Sequence, residues 1–447
     1  MNTTSIAELL IGLLYIYVLP VLIVLTAITE NKYRNTTKAL YAAYAVAYAL
    51  LLPAQYLAYN KVFNLPGGIR VGVDPLSFAF TLSGLFIILY LWSAKHIVPP
   101  GGKYLVFALL TTYLASLISL TRSWLVFIIL WEALSYMAYM LITSTTRKRI
   151  ITYSYYGTMH LTGLLMILGA ALLAENGVWN IGSKIDMSLA LPVILLATGM
   201  LAKTGLIPFH YWVQTIYDNV EPVVAGAFSA LIDPVGILGL FRLASSLTGS
   251  LHYYYVWTLI ILGSISAIIA SIWMWGSERI TSFLAWSTIY NIGWMTLLLA
   301  FPIPSIVLAT YILAHGLAKV TGFTSISGIT SIEHLRTDLP GRAAVFAASL
   351  LGIEAIPPFT LFFIRLYVLT ASISLSPVTG FLIVSSWIIA GTYMFKLLLK
   401  TLFPSEKTAS TSTGLDDLGG PMYILMGIAL IVSLLSLPII LFIGGAL

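Results

Sequence analysis

The chain of 447 residues contains no cysteine. That absence excludes thiol catalysis, disulfides, iron–sulfur ligation and thiolate metal sites. Charge is nearly as scarce: Asp, Glu, Lys and Arg make up 9% of the residues, against about 25% in an ordinary soluble protein. No basic domain stands apart from the apolar bulk, so the composition excludes a soluble globular enzyme, a disordered chain and a nucleic-acid binder. Six histidines are present, but no two sit at metal-motif spacing and no apolar run carries a well-spaced pair for haem. Neither metal nor cofactor is expected, and any redox chemistry would reside in a partner.

Apolar residues are what the chain has in abundance. Hydrophobic residues account for 59% and the mean hydropathy is +0.97. A spanning helix takes about 20 residues, so a polytopic, all-α membrane protein is expected. Apolar runs at 8–28, 38–59, 74–93, 103–121, 123–143, 152–174, 187–212, 222–248, 253–275, 280–300, 304–330, 341–373, 378–402 and 420–443 predict fourteen spans. The first run has no basic residue before it and reads as a retained helix rather than a secretory signal.

Lys/Arg bias sets the predicted orientation. Loops after odd-numbered runs hold fourteen basic residues, among them Lys32, Lys95, Lys103, Arg147, Lys148, Arg279, Arg336 and Lys407, whereas loops after even-numbered runs hold five: Lys61, Arg70, Arg122, Lys184 and Arg242. The odd loops are therefore placed in the cytoplasm of a cell whose plasma membrane the chain crosses, with both termini on the outer side. Lys203, Lys319 and Arg365 fall inside apolar runs.

Two runs are interrupted in the same way, by Leu206-Ile207-Pro208-Phe209 in the seventh and Ala355-Ile356-Pro357-Pro358-Phe359 in the twelfth. Proline removes a backbone donor and clashes with the preceding turn, so helices broken at Pro208 and at Pro357 and Pro358 are predicted. Five spans apart, they should run in opposite directions, the pattern of an inverted repeat.

A charge at the bilayer centre costs about 2.5–3.5 kcal/mol on insertion scales and needs a partner. Glu132, mid-run in the fifth span, has no basic residue within a turn, so its counter-charge must come from another helix. Lys203 lies just before Pro208 and is the candidate. A buried lysine can give up a proton, and His210, seven residues on, is expected two turns along the same face as a relay. His315 and Lys319 share one face of the eleventh span among small residues. Arg365 follows the double proline and can neutralise a carboxylate but not release a proton. Asp233-Pro234 in the eighth span reads as a relay or as a structural kink. Glu354 and His160 carry the same two readings.

These residues fall in motifs. Val73-Asp74-Pro75-Leu76-Ser77, Trp131-Glu132, Lys203 through Pro208 and His210 to Trp212, Leu284-Ala285-Trp286-Ser287-Thr288-Ile289, Ala314-His315-Gly316-Leu317-Ala318-Lys319 and Pro357-Pro358 to Arg365 follow one another in consistent order from about 73 to 367. Together they resemble the antiporter-like membrane subunits shared by respiratory complex I, Mrp-type cation/proton antiporters and membrane-bound hydrogenases. The resemblance implies a fourteen-helix fold with an N-terminal part over 1–102, five-helix repeats over 103–250 and 251–403, and a cytoplasmic loop and last helix over 404–447. It implies translocation of protons or sodium through Glu132, Lys203, His210, Asp233, His315, Lys319 and Arg365. The expected parent is a redox-driven complex such as an NADH- or ferredoxin:quinone oxidoreductase or a membrane-bound hydrogenase. The expected partners are other membrane subunits, H⁺ or Na⁺, and the lipid bilayer, with no nucleic acid. An Mrp-type antiporter subunit, a stand-alone transporter and a non-conducting paralogue share the same motifs. Two positions depart from the pattern: Pro234 stands where the family has a lysine, beside Asp233, and Arg365 replaces another lysine. The chain also ends without the long lateral helix of larger members.

Overall fold

The computed structural model describes residues 3–30, 32–66, 68–94, 104–146, 148–329, 331–403 and 418–443. Lys95, Lys103, Arg147 and Lys407, which entered the charge count, lie outside the described residues, as does most of the loop expected after 403. In lipid every backbone polar group must be satisfied internally, which makes each long apolar run a helix. The helices are α1 (Thr4–Thr29), α2 (Arg34–Leu57), α3 (Pro75–Ser93), α4 (Tyr104–Leu120), α5 (Trp124–Thr143) and α6 (Arg149–Glu175). They continue with α7a (Ala190–Thr204), α7b (Tyr211–Tyr217), α8 (Pro222–Ala244), α9 (Gly249–Trp275), α10 (Ile280–Leu299) and α11 (Ser305–Ser325). After a short helix at Ile332–Asp338 come α12a (Pro340–Ile353), α12b (Thr360–Leu375), α13 (Pro377–Leu402) and α14 (Gly419–Leu434), with a last short helix at Ser436–Ile443. Ten of the described helices are long and apolar enough to cross a membrane.

Burial separates the centre from the rim. The most apolar window of α8 is 100% buried and that of α11 is 89% buried, whereas in α1, α2 and α6 the share is 39%. α11 packs against α3, α8, α12a and α14. Small residues permit the close approach: a Cβ on Gly316 would lie 2.9 Å from the Ala230 carbonyl oxygen, and one on Gly226 would lie 2.9 Å from Val320 Cα. The stretch of small residues around His315 thus seats α11 directly on the backbone of α8.

Pro234 does not simply bend α8. The five residues before Asp233, Phe228–Ile232, form a π-helical turn in which the Asp233 N–H donates to the Phe228 carbonyl. Widening the helix there relieves the clash a proline ring makes with the preceding turn. α1 uses the same device over Leu14–Val18 before Pro20.

The seventh and twelfth spans are both interrupted, and the two interruptions share one backbone. Gly205 (φ +79°) and Ala355 (φ +61°) occupy the left-handed region. Leu206 N–H donates to Leu201 O at 3.4 Å, and Ile356 N–H to Leu351 O at 3.0 Å. Both helices thus end in the six-to-one hydrogen bond of a Schellman cap, followed by the proline and a phenylalanine.

Loops sort to two ends of the bundle. At one end a hairpin of β1 (Val62–Asn64) and β2 (Arg70–Gly72), absent from the all-helical expectation, joins α2 to α3. Asn-Leu-Pro-Gly-Gly supplies its turn chemistry. Val71 bridges Thr121, Ser123 bridges Asn180, and Ile185 bridges Leu247, so the loops after α2, α4, α6 and α8 meet here. At the other end Lys148 donates to Asn219 at 2.8 Å and Arg279 to the Asp218 carbonyl at 2.8 Å.

Gly205 is the more demanding of the two left-handed positions, because a Cβ there would also fall on the Val213 side chain. Gly205→Ala should destabilise the protein by about 1–2 kcal/mol, seen as a lower thermal unfolding midpoint in detergent. Ala355→Gly should leave the midpoint unchanged or raise it.

Candidate ion-translocation site

The buried charges form a row through the centre of the bundle. Lys203 sits in the last turn of α7a, where the helix dipole favours a cation. Its Nζ is 2.6 Å from Glu132 Oε1 on α5 and donates to Ser135 Oγ at 2.8 Å. The lysine side chain is completely buried, whereas the Glu132 side chain is 21% exposed, so the pair opens toward the outside on its carboxylate side. Gly163 on α6 makes room for it, since a Cβ there would collide with the Glu132 carboxylate.

His210 does not continue the face that carries Lys203. α7a ends at Thr204 and the left-handed Gly205 turns the chain, so the seven-residue spacing no longer corresponds to two helical turns. The imidazole lies half-buried in the break, 5.3 Å from the Trp286 ring, and its Nδ1 has no hydrogen-bond partner among the described residues. His160 is exposed on α6 and stacks on Tyr156 at 5.6 Å.

Asp233 is buried in α8 and accepts a short hydrogen bond from the Tyr217 hydroxyl, while its other oxygen has no partner among the described residues. The lysine within its electrostatic range is Lys319, not Lys203. Tyr155 of α6 is buried with its ring against Trp212 and Phe228, within electrostatic reach of both Glu132 and Asp233.

Lys319 Nζ donates to the Leu284 carbonyl at 2.7 Å and to Ser287 Oγ, both on α10. One turn earlier, His315 is buried with neither ring nitrogen hydrogen-bonded among the described residues. Beyond it, Arg365 of α12b is buried and donates to the carbonyls of Ile353 (2.9 Å) and Glu354 (2.7 Å) and to Asn291 Oδ1 (2.8 Å). It lies 3.6 Å from Glu354 Oε1. The rings of Tyr290 and Trp294 lie 5.0 and 5.3 Å from its guanidinium carbon, a cation–π enclosure. Arg365 thus caps the carboxyl end of α12a across the double-proline break.

Counted along the row, Glu132, Asp233 and Glu354 stand against Lys203, Lys319 and Arg365, three of each sign. Asn291 and Tyr155 carry no charge and were not singled out by sequence reasoning. A polar Asn mid-run, one turn past Ser287, is the signal that points to the first.

A second charge cluster lies at the hairpin end. Asp74 caps α3, accepting from the Ser77 N–H at 2.9 Å with Pro75 at the first helical position. Its Oδ2 receives Arg242 at 2.5 Å and Arg122 at 2.9 Å. Arg122 in turn donates to the last carbonyls of α4, and Gly72 leaves room for its guanidinium. One carboxylate at the start of α3 thereby ties down the ends of α4 and α8, each charge placed on the favourable side of a helix dipole. Burial pushes the Asp74 carboxyl up, but Arg242 and Arg122 hold it, on balance, below the usual carboxylate range.

Fold and site together define a polytopic helical membrane protein with two broken helices and a balanced row of buried ionisable groups. The chain belongs to the NADH:quinone oxidoreductase/Mrp antiporter transmembrane family, whose model matches residues 121–390. It is 24% identical over 263 residues to NADH-quinone oxidoreductase subunit N of Flavobacterium johnsoniae, a match covering 55% of each protein. It is 28% identical over 117 residues to the subunit N of Myxococcus xanthus, covering 22% of this chain and 21% of that one. The matched stretch therefore spans about half the length of the first relative and a fifth of the second. Among solved structures, a chain of the archaeal membrane-bound sulfane sulfur reductase superposes with a TM-score of 0.82 at 17% identity, covering 99% of this chain and 96% of that one. A chain of the Mrp complex from Dietzia sp. DQ12-45-1b superposes with a TM-score of 0.81 at 19% identity, covering 100% and 97%. One from Thermus thermophilus respiratory complex I gives 0.78 at 18%, covering 98% and 99%. At these identities the likeness is one of fold.

The Asp74 cluster makes a pH prediction. A carboxyl whose pKa is lower in the folded than in the unfolded state contributes stability that is full above the unfolded pKa, near 3.9, and is lost as pH falls through the folded value. Asp74→Asn leaves two partly buried guanidiniums opposed and should cost about 3 kcal/mol at neutral pH. In thermal unfolding the gap between the two proteins should narrow as pH drops below about 4. A gap constant with pH would contradict the assignment.

Proposed function

We propose that the chain is an ion-translocating, antiporter-like subunit of a redox-driven multisubunit membrane complex, moving protons or sodium along the row from Glu132 to Arg365. It sits in the cell membrane with the loops after odd-numbered spans in the cytoplasm and both termini outside. The observation that carries this reading is the alternation of three carboxylates and three cations in the bundle centre. Isolated charges at that depth are costly and mark ion paths. Paired charges of opposite sign let each transfer be compensated by its neighbour.

In this reading Lys203 and Glu132 form the entry pair. Protonating the carboxylate releases the ammonium, and the freed lysine is the group able to pass a proton on. Tyr155 and Tyr217 supply hydroxyls toward Asp233. Asp233, next to the Pro234 that stands where the family has a lysine, carries charge of the other sign and acts on Lys319. His315, with both ring nitrogens unpartnered, is free to shuttle between Lys319 and Glu354. Arg365 holds its charge, so Glu354 is the titrating member of the last pair. The fixed arginine moves the proton-carrying role from the twelfth helix's cation to its carboxylate.

The test is flux in proteoliposomes containing the complex recovered through this subunit. Glu132→Gln should lower coupled ion flux at least about tenfold with subunit composition unchanged. Undiminished flux would identify a non-conducting paralogue. Recovery of Mrp-type subunits without redox proteins would place the same activity in an antiporter.

A further inference from the structure

The hairpin end of the bundle contains a cavity of about 290 Å³, lined by Val62, Arg70, Arg122, Asn180, Gly182 and Ser183 among others. It lies outside the translocation row and borders the Asp74 cluster. The charge there is unbalanced. Arg122 and Arg242 share the single carboxylate of Asp74, and Arg70 is exposed with no ion pair or side-chain hydrogen bond among the described residues. Two guanidiniums thus share one carboxylate and the third, Arg70, has none, and Arg70 and Arg122 both line the cavity. Its remaining polar lining can donate: the Asn180 amide and the Ser183 hydroxyl have no protein acceptor among the described residues. Gly182, in the left-handed region at φ +92°, has nothing within 4 Å of where a Cβ would stand, which keeps the mouth open. Paired guanidiniums with amide and hydroxyl donors are the usual equipment for a phosphate oxyanion, whose geometry matches the arginine fork. The rim is apolar: Trp179 and Val62 are both more than half exposed. Tryptophan at the end of a membrane bundle marks headgroup level.

We propose that this cavity binds a phosphate oxyanion, carried by an anionic lipid headgroup or as free phosphate, with Arg70 supplying the uncommitted charge and Arg122 the fixed one. Binding there would clamp the β-hairpin to the loop after α6 and so brace the end of the bundle where Asp74 joins α3, α4 and α8.

The proposal is tested on the full chain in a neutral detergent by calorimetric titration with dihexanoyl phosphatidylglycerol and, separately, with inorganic phosphate. The variants are Arg70→Gln, Ser183→Asp and, as a charge control at the other end of the bundle, Lys38→Gln. Arg70 has an exposed side chain, so its loss should not unfold the protein, which the thermal midpoint checks. Saturable binding that weakens about tenfold in Arg70→Gln, is abolished in Ser183→Asp and is unchanged in Lys38→Gln supports the site. Binding of the lipid alone makes the headgroup the ligand, and equal binding of phosphate makes the free anion sufficient. No saturable binding of either probe, or equal losses in Arg70→Gln and Lys38→Gln, would overturn it.

Discussion

Burying charge inside an apolar helix bundle is the constraint on which this structure depends. Removing one member of a buried ion pair costs about 3–5 kcal/mol, because the other is left uncompensated. Here six such groups share the bundle centre, and each has a partner of opposite sign or a helix end in reach. α8 and α11, which pack against each other in the centre of the bundle, carry Asp233 and Lys319. Their glycine contacts bring the backbones close enough for these two charges to act on each other.

The two broken spans solve one problem in two chemical ways. Each break exposes the carboxyl end of a half-helix in the bundle, and each end is met by a cation. In the seventh span the cation is Lys203, part of the half-helix itself and shared with Glu132 across to α5. In the twelfth it is Arg365, arriving from beyond the break to bind the carbonyls of Ile353 and Glu354. The ammonium is a group that can be discharged, whereas the guanidinium is permanent. The backbones of the two breaks are therefore alike while their chemistry is not. The two departures from the family's pattern, Pro234 beside Asp233 and Arg365, fall in different halves of the chain.

Much of this was readable in the sequence. The apolar runs, the two proline interruptions and the intramembrane charges follow from rules that act locally, and the ordered motifs carried the family. What local rules could not supply was partnership. Nothing in the spacing of Asp233 says that its hydroxyl partner is Tyr217 or that the lysine acting on it is Lys319, since both come from elements brought in by packing. The His210 spacing looked helical because periodicity assumes a continuous helix, which Gly205 ends. Arg122 and Arg242 counted only as loop charges, because their convergence on Asp74 requires the ends of α3, α4 and α8 to meet. The hairpin was hidden by its length, three residues in each strand.

The central claim is that Asp233 and Lys319, from different halves of the chain, compensate each other in the row. A double-mutant cycle with Asp233→Asn, Lys319→Met and the combined variant measures this directly through the unfolding free energy of the protein in detergent. If the two charges balance one another, the combined variant loses less stability than the two single losses together, by about 1–3 kcal/mol. Losses that add within about 0.5 kcal/mol would show that the two charges do not sense each other and would contradict the account.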